Sequence, residues 1–527
     1  MAGDPYSQAA RDEERRNTFH EADVVVVGAG IFGCAVAFAL ANQGRSVILL
    51  ERWMHEPDRI VGELLQPGGV RALQALGLEK CLEGIDAIPC YGYHVLFHGD
   101  DVMIPYPVVD GAGRLVASAN DGPAGSKSIQ KKGESSSASG GLADGGIGDM
   151  KSSRRPEGKS FHHGRFISQL RKACRRHPNI SMFETEVTAT VRGQDSSAVL
   201  GVETRTTDKE TGVKKPDCFF GTLTIIADGY ASKFRKELLG RVPVVRSKFY
   251  ALELIDCPIK PEGYGHVVIG ASSPVLLYQI GTHETRALID VPEKLPAASP
   301  QNGGVRGYIE KVVVPVLPEE ARPSVLAALA DGKIPRSMPN SWLPPTRQAQ
   351  HQGVLLLGDA YNMRHPLTGG GMTVAFNDVV LLQSLLHPDR VPDLGDHAAV
   401  RAAMADFYWR RKPLTSIINV LAQALYSLFA AADDRQLRAL RQGCFRYFQL
   451  GHYNEPAGLL GGLIHRPTVL AYHFFTVAFL GIWLNIVAVC GGSVLGLWKL
   501  PLALLDAVLI LWKACVVFLP TVWMEST

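Results

Sequence analysis

At 527 residues the chain has room for more than one domain, each with a sizeable core. It is 20% charged and 46% apolar, the balance of a globular protein. The net charge of +3 comes with only short basic patches, Arg171–Lys172 and Arg175–Arg176 at the end of a predicted helix, which argues against a nucleic-acid partner.

The polar stretch from Met1 to Glu21 has no apolar signal region and reads as a disordered lead-in. From Ala22 the β-branched run Asp23–Val27 predicts a parallel strand buried on both faces. Gly28 to Gly33 breaks it, Cys34–Asn42 reads as a helix, and Ser46–Leu50 as a second buried strand. This is a βαβ unit opening an α/β domain. The segment Val109–Lys159 is rich in Gly and Ser and poor in large apolar residues, and is expected to be a disordered insertion. A helix over Arg165–Arg176, a strand near Ile180–Val191 and hairpin-like strands up to Ala227 follow. Phe249 to Val291 predicts a β-rich second domain that could lie over a substrate pocket. Val354–Leu357 is another short buried strand, Gly358 to Gly371 a glycine-rich loop, and Met372–Leu386 a helix.

Beyond Pro413 the character changes. Leu414–Ala430 is an amphipathic helix, and the excess behind the mean hydropathy of +0.06 sits mostly in the tail. Val469–Cys490 is almost wholly apolar and reaches the roughly 20 residues that cross a bilayer. Leu500–Trp523 is interrupted by Asp506, Lys513, Pro501 and Pro520. A spanning hairpin and a pair of helices lying in one leaflet both fit. Trp483, Trp498, Trp512 and Trp523 suit interfacial anchoring. The nine cysteines include no C-x-x-C pair, which points to a reducing compartment and a catalytic part facing the cytosol. No metal site is expected, since His162 and His163 lack a partner at ligand spacing and read as structural.

The first chemical motif is Gly28-Ala29-Gly30-Ile31-Phe32-Gly33. Its first glycine permits the tight turn, its second lets a pyrophosphate approach the backbone, and its third allows close helix–strand packing. The following helix N-terminus attracts phosphate. Glu51, ending the next strand, is placed to accept from a ribose hydroxyl pair. Val354 to Ala360 delivers Gly358-Asp359 to a second helix-opening loop, and Asp228-Gly229, with Ser232 and Arg235, forms a third motif after the strand Leu223–Ala227.

Taken in order, these motifs resemble those of the hydroxylase-type flavoproteins. The stretches Gly62 to Gly69, Phe161 to Phe166 and Gly358 to Met372 look like the signatures of the squalene monooxygenase family, with the likeness running over nearly the whole chain after Ala22. It implies an α/β fold: a Rossmann-like FAD-binding domain of the hydroxylase type, a β-rich substrate domain and a C-terminal apolar helical membrane-binding region. On these grounds the chain divides into a lead-in (1–21), FAD-binding domain and start of the substrate region (22–108), insertion (109–159), FAD-binding domain (160–240), β-rich substrate domain (241–345), FAD-binding domain (346–412) and membrane-associated helices (413–527). The resemblance also implies that Ile31, Phe32, Glu51, Arg52, Arg59, Arg165, Val187, Asp359 and Met372 contact FAD. Arg59 and Arg165 would offer cationic donors, and Gly369–Gly371 would let backbone approach the ring. A tyrosine and a glutamine belong near the reactive end of the flavin. Tyr93 and Gln66 match them best, with Tyr91 the competitor if the register slips by two.

The implied reaction is epoxidation of squalene with O2, with electrons from NADPH through a membrane-bound cytochrome reductase. The chain shows no second dinucleotide unit of its own. Docking to membrane lipid, at the endoplasmic reticulum or microsomal membrane or at lipid droplets, would let the substrate enter from the bilayer. A geranylgeranyl reductase-type flavoenzyme and a non-catalytic flavin- or lipid-binding protein are the competing readings.

Overall fold

The computed structural model describes residues 20–116, 155–193, 197–208, 210–270, 273–348, 351–430, 434–491 and 498–526. The core of the insertion, 117–154, and most of the lead-in fall outside these residues.

Strand β1 (Glu21–Val27) is the keel of the first sheet, and its Val24–Val27 are buried on both faces. It lies parallel to β2 (Val47–Glu51) on one side and to β11 (Lys214–Ile226) on the other. Beyond β2 runs β8 (Ile180–Glu184), and beyond β11 runs β17 (Val354–Leu356), both parallel. Strands β10 (Val199–Thr207) and β9 (Glu186–Arg192) continue the sheet antiparallel from the long outer part of β11. The parallel strands therefore end together, so that the segments after Val27, Glu51, Ile226 and Leu356 emerge along one edge. Ligands of open α/β sheets bind in that crevice. Helix α1 (Ile31–Ala41) packs its alanine-rich surface against the sheet, with nine of its residues buried.

The second sheet has the order β16 (Arg336–Trp342), β12 (Val244–Ile255), β15 (Glu284–Pro292), β14 (Val275–Gln279), β13 (Tyr264–Ile269), β5 (Gly92–Phe97) and β6 (Asp100–Pro105). Side chains alternate with the strand period. Leu276, Tyr278 and Leu288 face the cavity-side core, while Val275, Leu277 and Ile289 pack with Tyr308, Ile309 and Val325 on the far side. Residues 92–105 thus join the substrate sheet from well before it in the chain. A small third sheet pairs β3 (Leu64–Leu65) and β4 (Ile88–Cys90) with β7 (Gly158–Ser160).

Two expected boundaries shift. Glu21, placed in the lead-in, already pairs with Phe220. The insertion is ordered at both edges: Val109 bridges Leu115, and Gly158 and Lys159 lie in β7. Composition flagged these ends as loop, but a partner strand supplies the hydrogen bonds that local propensity does not.

Among the helices, α2 (Pro67–Ala75), α3 (His163–Arg176) and α4 (Gly371–Leu385) flank the crevice. The C-terminal region adds α5 (Lys412–Phe429), α6 (Arg435–Gln449), α7 (Pro467–Cys490) and α8 (Leu500–Ser526). α6 and α7 cross at a glycine pair, where a Cβ on Gly443 would come within 2.7 Å of the Gly481 Cα. α8 runs unbroken through Pro520. Its buried residues, Ala503, Asp506, Ile510, Ala514, Phe518, Thr521 and Glu525, form one stripe at helical spacing. The charges that seemed to interrupt it are paired with the body: Asp506 with Arg435, and Lys513 with Asp434 at 2.8 Å.

Candidate active site

The glycine turn is held by steric demand. Gly28 has φ +100°, and a Cβ there would lie 2.6 Å from the Ala227 carbonyl oxygen, while one on Gly33 would collide with the Gly28 carbonyl. Gly30 is different, because a Cβ there meets nothing within 4 Å. Its bare face lines a cavity, so the space is left for something other than protein.

Glu51 Oε2 accepts from Ala29 N at 2.8 Å and pairs with Arg171 Nη2 at 3.2 Å. Arg171 Nε also donates to Ala29 O, and its Nη1 to Trp53 O and His55 O, at 2.9 to 3.0 Å. Arg171 is therefore no surface patch: it is buried and straps the turn to the segment after β2.

Across the crevice, the turn Gly358–Ala360 presents Asp359, whose Oδ2 lies 3.8 Å from Arg59 Nη2. Arg235 donates to Ala360 O, Asp359 O, Gly229 O and Tyr230 O at 2.8 to 3.1 Å, which welds the Asp228–Gly229 loop to the Asp359 turn. Two distant chain segments thus close one crevice with the β1 turn.

The empty space here, about 1470 Å³ with the solvent at its open mouth included, forms one continuous cavity. One end is lined by Gly30, Ile31, Phe32, Arg59, Asp359 and Met372 and the other by Tyr93, Val267, Leu276, Tyr278, Leu288 and Met338. The first end carries backbone amides and charge; the second is apolar and aromatic. Arg59 Nε is buried without a partner in its wall. An open glycine face, an unpartnered guanidinium N–H and helix N-termini suit a dinucleotide's phosphates and ring, so the residues present fit FAD.

Tyr93 lines the cavity and Gln66 stands behind it, fully buried. Gln66 Nε2 donates to Tyr93 Oη at 2.7 Å and to Thr368 O at 2.8 Å, while its Oε1 accepts from Tyr106. Both amide hydrogens are committed, so Gln66 orients Tyr93 rather than touching a ligand. Tyr91 precedes β5, is exposed, and stands over Tyr264 outside the cavity. The two tyrosines do not share a strand face.

Arg52, Arg165 and Val187, also expected at the cofactor, are not among the residues that line the cavity. Arg52 is exposed and stacks its guanidinium 3.7 Å above Trp53. Arg165 reaches Glu284 at 3.9 Å and does not line the cavity. Val187 is buried on β9, opposite Thr204. In the Gly369–Gly371 run, Gly371 faces open space, whereas a Cβ on Gly370 would press into Ile418 of α5, a packing requirement rather than a ring approach.

Glu63 and Tyr278 in this wall, with Arg286 behind them, escaped the sequence reading. Glu63, almost wholly buried, forms a bidentate pair with Arg286 (Nη2–Oε1 2.8 Å, Nε–Oε2 2.9 Å) and accepts from Tyr278 Oη at 3.1 Å. Burial pushes the Glu63 carboxyl above its ordinary value. His163 also lines the cavity; burial, with Arg59 nearby, lowers its pKa to about 3. It is therefore neutral, with Nδ1–H donating to Gly62 O at 2.7 Å. Among the described residues no cluster of His, Cys, Asp or Glu could hold a metal.

Known proteins share this arrangement. The FAD dependent oxidoreductase family matches residues 23–57, the glycine turn and β2, and the squalene epoxidase family matches residues 220–498. Among solved structures, the flavin-dependent brominase Bmp2 (a triple mutant) superposes with TM-score 0.61 at 12% identity, covering 86% of this chain and 98% of that one. The p-nitrophenol 4-monooxygenase PnpA of Pseudomonas putida does so with TM-score 0.56 at 16% identity, covering 86% and 98%. These establish the fold, an FAD-monooxygenase-like α/β architecture with the expected β-rich second sheet. Relatives extend the match over the whole molecule. Squalene epoxidase ERG1 of Gibberella zeae is 62% identical over 97% of both chains. Squalene epoxidase erg1 of Aspergillus fumigatus is 50% identical over 98% of this chain and 96% of its own, and squalene monooxygenase of Mus musculus 40% over 95% and 78%. Identity at this level, spread from the glycine turn through the apolar tail, means that the chain belongs to the squalene epoxidase family.

Proposed function

We propose that this chain is an FAD-dependent monooxygenase that inserts one atom of O2 into a terminal double bond of squalene, giving 2,3-epoxysqualene. The observation that carries the proposal is the joining of a dinucleotide cradle and an apolar chamber in one cavity. Reduced FAD, when bound, supplies the activation of O2, one atom going to the alkene and the other leaving as water.

The protein's own residues do the rest. Gly30, Arg59, Asp359 and Met372, which line the cavity, would hold the cofactor, and Glu51, fixed by Ala29 N, would accept from its ribose hydroxyl pair. Tyr93, its hydroxyl fixed by Gln66, lines the cavity on the apolar side. Leu276, Leu288, Val267 and Met338 bury a hydrocarbon that has no polar handle, at about 25 cal/mol per Å² of apolar surface. The same wall excludes water from the reacting centre.

Electrons come from NADPH through a separate cytochrome reductase at the membrane. The protein sits at the endoplasmic reticulum membrane with its catalytic body in the cytosol, in keeping with nine free cysteines. α7 and α8 are each long and apolar enough to cross a bilayer. One face of α8 is nevertheless pinned to α5 and α6 by buried charges, which favours a helix pair lying in one leaflet. The domain division follows the sheets: flavin-binding around β1, substrate-binding around β12, and membrane docking from 413 onward.

The test is detergent-solubilised protein incubated with squalene, FAD, NADPH and a reductase. A product heavier by one oxygen supports the proposal. A product heavier only by hydrogens would mark a reductase, and bound FAD without any product a binding protein; either overturns it. Removal of the chain beyond Pro467 is expected to abolish activity on membrane-dispersed squalene.

A further inference from the structure

Arg364 is a buried cation in the wall of the cavity, beside Gly369, Gly371 and Met372. Its Nε donates to Asn419 Oδ1 at 2.8 Å, its Nη2 to Asn362 Oδ1 at 2.7 Å and Asn362 O at 3.1 Å, and its Nη1 reaches Gly371 O at 3.4 Å. Every one of these acceptors is neutral. The other arginine of the cavity wall, Arg59, has Asp359 within ion-pair distance, and Arg411 nearby is matched by Asp378 at 2.6 Å. Among the described residues no carboxylate is in such contact with Arg364. Burial lowers its pKa only to about 10, so it stays charged at neutral pH.

Asp359, Asp378 and Glu525 act on Arg364 only from beyond ion-pair distance, so this buried charge is incompletely compensated until something negative arrives in the cavity. The N-terminus of α4 opens at Gly371, adding partial positive charge on the same side. The oxidised flavin ring is neutral, whereas the two-electron-reduced ring is anionic near neutral pH. A fixed cation at that end of the cavity therefore binds the reduced form more tightly than the oxidised one.

The orientation of Arg364 traces back to the C-terminus. Asn419 turns its carbonyl to Arg364 because its Nδ2 donates to Glu525 Oε1 at 2.7 Å. Glu525 is buried in the last turn of α8, with Ser416 Oγ at 3.1 Å and Lys412 Nζ at 3.5 Å. A continuous hydrogen-bonded line thus joins the membrane-facing helix to the flavin end of the cavity. We propose that Arg364 is the cation this site offers to reduced flavin, and that Glu525 positions it through Asn419.

The proposal rests on FAD being the cofactor. The experiment uses the full-length protein in detergent, with FAD affinity read by flavin fluorescence and the midpoint potential by dye equilibration during slow reduction. Arg364→Met is expected to weaken binding of reduced relative to oxidised FAD about tenfold, a fall of ~30 mV for a two-electron couple. Arg364→Lys, which keeps the charge, should restore most of that ratio. Glu525→Gln should shift it the same way by about threefold. Arg364→Gln carries the same expectation if the methionine variant does not fold. An unchanged potential in a yellow Arg364→Met or Arg364→Gln protein overturns the role of Arg364, and an unchanged potential in Glu525→Gln overturns the positioning. Wild-type protein that binds no FAD would instead sink the cofactor assignment.

Discussion

Replacing Arg286 by Met should produce a protein whose stability depends on pH in a way the parent's does not. Glu63 in the cavity wall and Arg286 behind it are both buried, joined by hydrogen bonds of 2.8 and 2.9 Å. Methionine fills much of the arginine stem's volume but leaves the carboxylate with Tyr278 Oη alone, 3.1 Å away. Breaking a buried pair from one side costs about 3–5 kcal/mol. Burial already raises Glu63 above its ordinary value, and loss of the cation raises it further. A carboxyl whose folded pKa lies above its unfolded pKa favours the protonated fold. Its stabilising contribution is present at low pH and is lost as pH rises through that window, at ~1.4 kcal/mol per unit. The deficit of Arg286→Met should therefore shrink by up to ~2.7 kcal/mol between pH 8 and pH 6. Urea unfolding midpoints of parent and variant at both pH values measure it. The double variant Glu63→Gln with Arg286→Met removes the charge altogether and should lose the pH dependence. A deficit that is the same at pH 8 and pH 6 would refute the reasoning.

Tyr93→Phe should keep bound FAD, read from the flavin absorbance, while losing most epoxide formation; full activity would remove the phenol from the site. Gly30→Ala and Gly28→Ala should part company. The first adds a methyl to open space and is expected to fold normally but bind FAD at least tenfold more weakly. The second forces φ +100° on alanine against the Ala227 carbonyl, at ~1–3 kcal/mol of strain or more, and should lower the melting temperature. Trp512→Glu with Trp523→Glu changes two rings that are 67% and 71% exposed on α8, and should abolish liposome co-sedimentation while sparing FAD binding.

What could be read from the chain alone was local or carried by family likeness. The glycine turn is legible because each glycine answers to a contact within a few residues or to a strand that must lie beside it. Arg171 shows a sign that was present and passed over. The buried positions of α3 are His163, Gly164, Phe166, Ile167, Leu170, Arg171 and Cys174, so helical phase places Arg171 on the inner face and leaves Lys172 and Arg175 outside. The basic doublet looked uniform only because adjacent residues were taken together. Glu63 and Arg286 carried no such sign. They lie 223 residues apart in the chain, and nothing local to either announces the other. Arg165, Arg52 and Val187 were named by family likeness alone, since their contacts here, to Glu284, to Trp53 and within β9, have no local signature in the chain.

The tail shows how one stretch can satisfy two solvents. Composition gives α8 an apolar surface all round, apart from charges that seemed to spoil a membrane helix. Those charges, Asp506 and Lys513, and Glu525 beyond them each find a partner on α5, on α6 or in the turn between them: Arg435, Asp434 and Lys412. If α8 crossed the bilayer upright, these partners would follow it into hydrocarbon, where an ionised group is costly even when paired. With α8 lying along the body, its charged stripe stays in the protein while Leu505, Val508, Trp512, Val516 and Trp523 face outward from it. The helix that carries this exposed apolar face is the same helix whose final turn, through Glu525 and Asn419, reaches the cavity wall.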